Sequence, residues 1–245
     1  MHKLMVISGG SRGLGLALVE QALQAGWQVL ELSRVGATVE HAQYQHLKMD
    51  LAQLGQSLPH LEARLAELAK QEWQQVALIN NAGMVGPISP IALLDDAALL
   101  QNMAVNFSSG IRLMAAFVRH FQTVVAEKMM ISVSSGAALK GYPSWALYCA
   151  AKAGLENFVR SVAAEQEGQA QPICCLNFGP GVIDTDMQAE IRSAPEAMFR
   201  DVERFRQLKQ SQQLRSPGNV AQAVLKLLQG KPENGRRYVV EEFDH

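Results

Sequence analysis

The sequence predicts an α/β protein with a doubly wound, mostly parallel seven-stranded sheet that carries helices on both faces. Two observations support this fold class. Short apolar runs alternate with longer stretches of helical periodicity from one end of the 245-residue chain to the other, as is typical of a parallel sheet with helical crossovers. Glycine and proline fall singly at the ends of these stretches, without a linker or a repeat. We therefore expect one domain over residues 1–245.

The predicted elements follow one another in a regular order. Short apolar runs predict strands, and apolar residues at intervals of three and four predict helices. Gly26 ends the first helix and Pro217 begins the last. The predicted strands are residues 4–7, 27–32, 44–49, 76–79, 129–133, 173–177 and 237–240. The predicted helices are residues 14–25, 58–71, 95–102, 104–126, 145–167 and 220–228, and the polar segment 187–213 is also predicted to be helical.

Composition argues against several classes of function. Hydrophobic residues make up 48% and charged residues 18% of the chain, which is an ordinary globular profile. The 22 Lys and Arg against 23 Asp and Glu give a formal net charge of −1, so there is no basic excess for nucleic-acid binding. Cys149, Cys174 and Cys175 lack metal-ligand spacing, and their odd number suits a reducing compartment. Because no apolar run approaches the ~18 residues that span a bilayer, we expect a cytoplasmic protein without metal, nucleic-acid or membrane partners.

A glycine-rich turn joins the first strand to the first helix. Residues 8–15 read Ser-Gly-Gly-Ser-Arg-Gly-Leu-Gly. Glycine allows a tight turn and a close approach of a pyrophosphate to the backbone, and the following helix presents its N–H groups to an anion. The alternative is a plain strand-to-helix connection. In this context we predict that the turn binds a dinucleotide cofactor through Gly9, Ser11, Arg12, Gly13, Leu14 and Gly15.

The end of the second strand indicates which dinucleotide is bound. An NAD-selective site places a carboxylate there to accept a hydrogen bond from the ribose 2′-hydroxyl. Here the strand ends in Ser33 and Arg34, and Arg12 adds a second cation from the glycine turn. Two guanidinium groups suit a 2′-phosphate, so the sequence favours NADP(H). Solvated surface arginines are the alternative, and the direction of the nearby Glu31 side chain is left open.

Residues 134–152 predict a site for proton transfer. Tyr148 and Lys152 lie four residues apart on a predicted helix and therefore share one face, while Ser135 directly follows the fifth strand. A tyrosine near its usual pKa of ~10 is a poor acid–base group at neutral pH, and a nearby ammonium lowers that pKa. Ser135 is suited to donate to a carbonyl oxygen as negative charge develops. By itself, Tyr-x-x-x-Lys would equally describe two ordinary helix residues.

In combination, these motifs resemble the classical short-chain dehydrogenase/reductase family. The chain carries five of that family's motifs in order: the Gly-x-x-x-Gly-x-Gly turn, Asn80-Asn81-Ala82-Gly83, Ser135, Tyr148-x-x-x-Lys152 and Pro180-Gly181-x-x-x-Thr185. Ser8 stands where the family usually has threonine. The resemblance covers nearly the whole chain. It implies a Rossmann fold and hydride transfer between a nicotinamide cofactor and a carbonyl or alcohol.

The resemblance also assigns roles to individual residues. It implies that Ser135, Tyr148, Lys152 and Asn106 are catalytic, with Asn106 supporting a water relay to the lysine. Tyr148 and Lys152 would also contact the cofactor. For Asn81, cofactor contact and a purely structural role are both open. The remaining implied cofactor contacts are Asp50, Leu51, Asn81, Ala82, Gly83, Pro180, Gly181, Val182, Ile183 and Thr185. A homodimer or homotetramer is expected through the helices near 104–126 and 145–167.

A narrower resemblance concerns the substrate. Residues 180–188, the polar segment after them and the acidic residues near position 241 are similar to sepiapterin reductases and bacterial benzil reductases. This implies NADPH-dependent reduction of a ketone or of one carbonyl of a 1,2-dicarbonyl, with Tyr148 as proton donor and residues 187–213 as a substrate lid. Glu241 is either a substrate anchor or a solvated acid, and Trp145 and Tyr142 are either pocket wall or packing.

Three alternatives to this function stay open at the level of sequence. The first is an NADP-dependent secondary-alcohol or hydroxysteroid dehydrogenase, which uses the same chemistry in the opposite direction. The second is a 3-oxoacyl reductase, although the chain lacks the Asp-Gly-Gly ending of many such enzymes. The third is a non-catalytic NADP(H)-sensing protein, from which the catalytic tyrosine or lysine tends to be lost.

Overall fold

The computed structural model describes residues 2–244 and contains one seven-stranded sheet. Every neighbouring pair of strands is parallel. The order β3-β2-β1-β4-β5-β6-β7 places the change of winding direction between β1 and β4, where open sheets of this type bind ligands. The predicted fold class is thereby confirmed. The strands are β1 (Lys3–Ser8), β2 (Trp27–Ser33), β3 (Tyr44–Lys48), β4 (Gln75–Asn80), β5 (Glu127–Val133), β6 (Cys174–Gly179) and β7 (Arg237–Val239).

Helices cover both faces of the sheet. They are α1 (Gly13–Gln24), α2 (Leu54–Leu68), α3 (Asp96–Met103), α4 (Ser109–Phe121), α5 (Ala146–Glu165), α6 (Asp186–Ser193), α7 (Val202–Gln210) and α8 (Pro217–Gln229). One apolar core lies between the sheet and α1 with α8, and a second lies between the sheet and α2, α4 and α5. In β1, Met5 and Ile7 belong to the first core and Leu4 and Val6 to the second. Burial on both faces explains why such strands appear in the sequence as continuous apolar runs.

Three predicted helix boundaries are wrong. Helix α2 begins four residues earlier than predicted and carries Pro59 inside it. The predicted helix 104–126 is instead a π-helical turn, Ala104–Ser108, that joins α3 to α4, and α4 ends at Phe121. The polar segment 187–213 forms two helices, α6 and α7. Helix α6 ends at Ser193 because Ala194 precedes Pro195 and adopts the extended conformation that a following proline favours.

The last strand is shorter than predicted. β7 has three residues and is followed by a 3₁₀ turn, Val240–Phe243, where the sequence predicted one strand over 237–240. Within residues 2–244, no helix combines the length and the apolar character needed to span a membrane.

Lys128 lies near the start of β5 and connects loops at the amino-terminal end of the strands, opposite the end that carries the glycine turn. Its buried ammonium donates to the backbone carbonyls of Gln122, Val124 and Gln171 at 2.9, 2.7 and 3.0 Å. Burial lowers the pKa of Lys128. The side chain thus supplies donors to three partly buried carbonyls that follow α4 or precede β6.

We expect Lys128→Met to lower the free energy of unfolding by about 2–3 kcal/mol, because it removes three hydrogen bonds from a buried ammonium to partly buried carbonyls. Urea denaturation followed by circular dichroism measures this loss. The matched control is Lys231→Met at an exposed position, for which we expect a change within about 0.5 kcal/mol. Equal stability of the two variants would contradict the structural role of Lys128.

Candidate active site

The glycine turn between β1 and α1 requires glycine for steric reasons. Gly9 and Gly13 have φ values of +72° and +56°, in the left-handed region that side chains disfavour. A Cβ atom on Gly15 would lie 1.9 Å from the carbonyl oxygen of Gly9. Helix α1 therefore approaches the end of β1 as closely as backbone atoms allow, and its first N–H groups border the turn.

The end of β4 holds this turn in place. The Ser8 hydroxyl accepts hydrogen bonds from the backbone N–H groups of Asn81 and Ala82, each at 3.1 Å. The side-chain amide of Asn81 donates to the carbonyl oxygens of Ser8 and Gly9 at 3.1 and 3.0 Å. Of the two roles left open for Asn81, this geometry favours the structural one. The hydroxyl of Ser8, in place of the usual threonine, has a direct use.

The two arginines predicted to select the cofactor differ in their surroundings. Arg12 forms an exposed ion pair with Asp186, at the start of α6, with an N–O distance of 3.2 Å. Arg34 is exposed and forms no ion pair with any residue in the range 2–244. The neighbouring Ser33 hydroxyl donates to the carbonyl of Val35 at 2.8 Å. Arg34 is thus a cation on a short connection, available to an anion.

Glu31 lies beneath the glycine turn. Its side chain is fully buried and accepts a hydrogen bond from the backbone N–H of Gly10 at 2.8 Å. A Cβ atom on Gly10 would lie 2.4 Å from the Cγ of Glu31, so this glycine makes room for the acid. The sequence left the direction of Glu31 open and gave Gly10 no special role. The structure shows that the two depend on each other.

Two of the predicted cofactor contacts, Asp50 and Leu51, follow β3. Asp50 is exposed, and its carboxylate accepts from the backbone N–H of Ala52 at 3.0 Å, which starts a 3₁₀ turn. Leu51 is buried in the core under α2. Both residues are therefore at the carboxyl-terminal edge of the sheet, on the β3 side of the glycine turn.

Ser135, Tyr148 and Lys152 come together at the end of β5. The side chain of Ser135 hydrogen-bonds to the Tyr148 hydroxyl. The Lys152 ammonium donates to the carbonyl oxygen of Val133 at 2.8 Å and lies 5.8 Å from the centre of the Tyr148 ring. Tyr148 and Lys152 are both buried. Helix α5 and the end of β5 thus present a hydroxyl pair and an ammonium in one place.

Burial determines the protonation of this group. It raises the pKa of Tyr148, and the hydrogen bond from Ser135 opposes that rise. Burial also lowers the pKa of Lys152 to about 8, against the influence of Glu156. The sequence predicted a lowered pKa for Tyr148, whereas the net shift in the structure is upward, because loss of hydration is the largest effect on this group. At neutral pH, Tyr148 keeps its proton and Lys152 is mostly charged.

Asn106 lies in the π-helical turn beside the lysine. Its amide nitrogen donates to the carbonyl of Met84 at 2.8 Å and to the side chain of Asn102 at 2.9 Å, and its oxygen accepts from the Met84 N–H at 2.8 Å. A Cβ atom on Gly83 would lie 3.2 Å from the Asn106 oxygen and 3.7 Å from the Lys152 nitrogen. Asn106 is therefore near Lys152, but its side chain is used to hold the segment after β4.

Glu156 is a buried acid near the catalytic group that the sequence analysis missed. It lies one turn after Lys152 on α5 and accepts hydrogen bonds from Ser134 and, at 2.8 Å, from Arg237 of β7. Arg160 lies 3.5 Å from its second oxygen. The side chain of Ser134, the residue before Ser135, is thus held by a carboxylate. The spacing from Lys152 was visible in the sequence, but a helical glutamate usually faces solvent.

The loop after β6 covers the glycine turn. Gly181 adopts a φ of +70°, and the Thr185 methyl carbon lies 3.2 Å from the Cβ position of Gly13. Pro180 and Gly181 start this loop. Val182 packs with the apolar residues near Tyr148, whereas Ile183 packs against the core under α8. Thr185 precedes α6 without a side-chain cap.

Aromatic residues fill the space between Tyr148 and the α6–α7 segment. Trp145 is buried, and its ring lies 5.0 Å from that of Phe199, 5.3 Å from that of Phe205 and 6.0 Å from that of Tyr148. Tyr142 lies 5.1 Å from Trp145. Trp145 and its neighbours therefore connect α7 to Tyr148. The two phenylalanines were not predicted, because residues 187–213 carry no readable motif.

Glu241 follows β7 and is held by an arginine. It is exposed in the 3₁₀ turn after β7 and pairs with Arg215 at 3.5 Å. Among residues 2–244, no group of three or more His, Cys, Asp or Glu side chains is arranged to hold a metal ion.

The parallel sheet, the glycine turn at its change of direction and the Ser135–Tyr148–Lys152 group together define a Rossmann-fold oxidoreductase. Comparison with protein families identifies the class more closely. A model of the short chain dehydrogenase family matches residues 3–196. The chain belongs to this family.

Individual relatives agree with that assignment. Benzil reductase ((S)-benzoin forming) of Bacillus subtilis is 37% identical over 241 residues, which cover 98% of this chain and 99% of the relative. Sepiapterin reductase of Xenopus tropicalis is 31% identical over 206 residues, covering 78% and 77% of the two chains. The crystal structure of a short-chain dehydrogenase/reductase from Saccharomyces cerevisiae superposes with a TM-score of 0.84 at 24% identity, covering 97% of this chain and 96% of the other.

The pKa of Lys152 predicts a pH dependence. We expect kcat/KM for carbonyl reduction to fall as pH rises through about 8, because Lys152 then loses the charge that would stabilise a tyrosinate. Since Glu156 raises the pKa of Lys152, Glu156→Gln should move this fall to lower pH. Rates measured from pH 6 to 10 test both statements.

The control for this profile is Glu165→Gln, the same change at an exposed position of α5. It should leave the midpoint of the pH profile unchanged. A midpoint that is the same in Glu156→Gln and the wild type would contradict the influence of Glu156 on the lysine.

Proposed function

We propose that the protein is an NADPH-dependent carbonyl reductase that reduces a ketone, and in particular one carbonyl of a 1,2-dicarbonyl, to an alcohol. The observation that carries this proposal is the buried Tyr148, which keeps its proton, receives a hydrogen bond from Ser135 and lies beside Lys152. This arrangement suits donation of a proton to an oxygen that gains negative charge. The similarity to benzil and sepiapterin reductases supports the dicarbonyl class.

The residues at the carboxyl end of the sheet fit a nicotinamide dinucleotide. Gly13, Leu14 and Gly15 form the start of α1, and two of them carry no side chain. Their backbone N–H groups would therefore hold the pyrophosphate. Asp50, Leu51, Ala82 and Gly83 would border the adenosine, and Pro180, Gly181, Val182, Ile183 and Thr185 would hold the nicotinamide. When bound, the reduced nicotinamide supplies the hydride.

Arg12 and Arg34 support the phosphorylated form of the cofactor. Arg34 has no ion-pair partner among residues 2–244, and the pair that Arg12 makes with Asp186 is exposed and therefore weak. Glu31, the acid nearest the end of β2, is buried and used by Gly10. No carboxylate of β2 is thus available for a ribose 2′-hydroxyl, whereas two guanidinium groups are available for a 2′-phosphate.

The catalytic residues have separate roles in the reduction. Ser135 donates a hydrogen bond to the carbonyl oxygen and so stabilises the charge that forms there. Tyr148 transfers its hydroxyl proton to that oxygen, which completes the alcohol and leaves a tyrosinate. The positive charge of Lys152 stabilises the tyrosinate. A proton delivered from solvent by way of Lys152 then restores the Tyr148 hydroxyl. Asn106 keeps the segment after β4 in place beside the lysine.

The protonation of Tyr148 suits the reductive direction. Burial raises the pKa of Tyr148, so the protonated tyrosine that reduction uses is the form present at neutral pH. A secondary-alcohol dehydrogenase would use the same residues in the opposite direction, with tyrosinate as the base. The complete catalytic group disfavours a protein that only senses NADP(H).

The α6–α7 segment, Asp186–Gln210, is suited to act as the substrate lid. Its Phe199 and Phe205 pack on Trp145 beside Tyr148. A flat aromatic carbonyl compound bound next to Tyr148 would therefore contact aromatic side chains of this segment.

We also propose a cytoplasmic enzyme that forms a homodimer or homotetramer through α4 and α5. The expected interface includes the partly exposed apolar residues Ile111 and Val118 of α4.

The first test is NADPH consumption with sepiapterin, benzil, 1-phenyl-1,2-propanedione and a 3-oxoacyl thioester. We expect turnover of the dicarbonyls and a loss of at least about 100-fold in kcat for Tyr148→Phe, which removes the transferred proton. Tyr238→Phe on β7 is the control for removal of a hydroxyl. Reduction of the thioester alone, or full activity of Tyr148→Phe, would contradict the proposal.

A second test concerns the cofactor. We expect Arg34→Ala to raise the Kd of NADPH about tenfold, because a charge-assisted contact to the 2′-phosphate is lost, and to change the Kd of NADH little. Arg64→Ala, at the surface of α2, is the matched control. Equal effects of Arg34→Ala on both cofactors would argue against recognition of a 2′-phosphate.

A further inference from the structure

The buried Glu31 connects the two segments that carry the cofactor-selecting arginines. One carboxylate oxygen accepts from the N–H of Gly10, two residues before Arg12. The other accepts from the hydroxyl of Tyr44 at 3.3 Å, on the neighbouring strand β3. Since Glu31 is fully buried, its position is fixed by these partners.

The Tyr44 hydroxyl extends this connection to the segment of Arg34. While it donates to Glu31, its oxygen accepts a hydrogen bond from the backbone N–H of Ala37 at 2.7 Å. A Cβ atom on Gly36 would lie 3.0 Å from the same hydroxyl oxygen. Residues 34–37 therefore close over Tyr44, and Ala37 has one specific partner that orders its backbone.

His46, two residues after Tyr44 and on the same face of β3, also contacts Glu31. Its Nε2 lies 3.0 Å from the carbonyl oxygen of Ser33 and 3.6 Å from the carboxylate of Glu31. The carboxylate is thus surrounded by Gly10, Tyr44 and His46. Each contact joins β2, β3 or the glycine turn, and none of these side chains belongs to the catalytic group.

We propose that Tyr44 is a positioning residue for cofactor selection: by joining Glu31 to Ala37, it holds Arg34 in the orientation that, with Arg12, binds the 2′-phosphate. This inference rests on the proposed preference for NADP(H). Tyr44 acts through Arg34 and need not touch the cofactor. It should therefore affect the phosphorylated cofactor far more than the unphosphorylated one.

The physical reason is the cost of ordering a flexible segment. Without the Ala37 hydrogen bond, residues 34–37 would sample several conformations, and binding of the 2′-phosphate would have to select one. The tyrosine is suited to this task because burial, together with the charge of Glu31, raises its pKa. It remains a hydrogen-bond donor to the carboxylate throughout the neutral pH range.

The central experiment is Tyr44→Phe, which removes one oxygen atom and keeps the ring. We expect the Kd of NADPH, measured by fluorescence titration, to rise about five- to tenfold, while the Kd of NADH changes by less than about twofold. Hydrogen exchange at the Ala37 amide should become faster in the variant. An equal rise in both Kd values, or an unchanged ratio, would overturn the proposal.

Tyr238→Phe is a closely matched control. The Tyr238 hydroxyl also accepts a hydrogen bond from a backbone N–H, that of Glu233, at 2.8 Å, but it lies at β7. This variant should lose a comparable hydrogen bond and leave the ratio of the two Kd values unchanged. A shift of that ratio in Tyr238→Phe would show that general loosening of the protein produces the effect, which would overturn the specific role of Tyr44.

A double-mutant cycle with Arg34→Ala separates the possible failures. If Tyr44 acts through Arg34, Tyr44→Phe should have little further effect on NADPH binding once Arg34 is removed. A full effect in that background would overturn the proposal. If Arg34→Ala changes the ratio and Tyr44→Phe does not, only the role of Tyr44 fails. If Arg34→Ala leaves the ratio unchanged, the assignment of the 2′-phosphate site fails and the role of Tyr44 fails with it.

Discussion

The close approach of α1 to the end of β1 is the constraint on which the rest of the site depends. A Cβ atom on Gly15 would lie 1.9 Å from the carbonyl oxygen of Gly9, so no other residue fits there. The adjoining elements are built around this contact. Asn81 hydrogen-bonds to the same carbonyl from the end of β4, and Glu31 supports the N–H of Gly10 from β2. The parallel sheet brings these strand ends to one edge, and the absence of side chains in the turn lets them meet.

Burial has opposite effects on the two titratable groups at the catalytic centre. Loss of hydration disfavours the charged form of each, which raises the pKa of Tyr148 and lowers that of Lys152. The tyrosine therefore keeps its proton at neutral pH. The lysine is mostly charged there, but its pKa of about 8 lies close to neutrality. Glu156 acts against this loss of charge on the lysine. The charge of Lys152 thus depends on the balance between burial and one nearby carboxylate.

The sequence predicts well those features that are encoded locally. Apolar runs such as 76–79 identify strands, and the spacing of Tyr148 and Lys152 identifies one helix face, because both patterns reflect backbone periodicity. Features that depend on tertiary contacts are not predictable in this way. Lys128 has the same local pattern as a surface lysine, yet three carbonyls surround it. The π-helical turn at Asn106 has no propensity pattern of its own, and the packing of Phe199 and Phe205 on Trp145 is not encoded by any local pattern in the polar segment 187–213.

Two buried glutamates each connect segments that border the site. Glu31 accepts hydrogen bonds from Gly10 and Tyr44 beside the glycine turn, and Glu156 accepts from Ser134 and Arg237 beside Lys152. Buried carboxylates cost free energy unless several donors surround them, and in both places the donors come from segments that carry functional residues. Displacing one of those segments would leave a buried carboxylate with fewer donors. The unfavourable burial of each acid therefore keeps its segments in register, because the arrangement that satisfies the carboxylate is also the one that places Gly10 beside β2 and Ser134 beside α5.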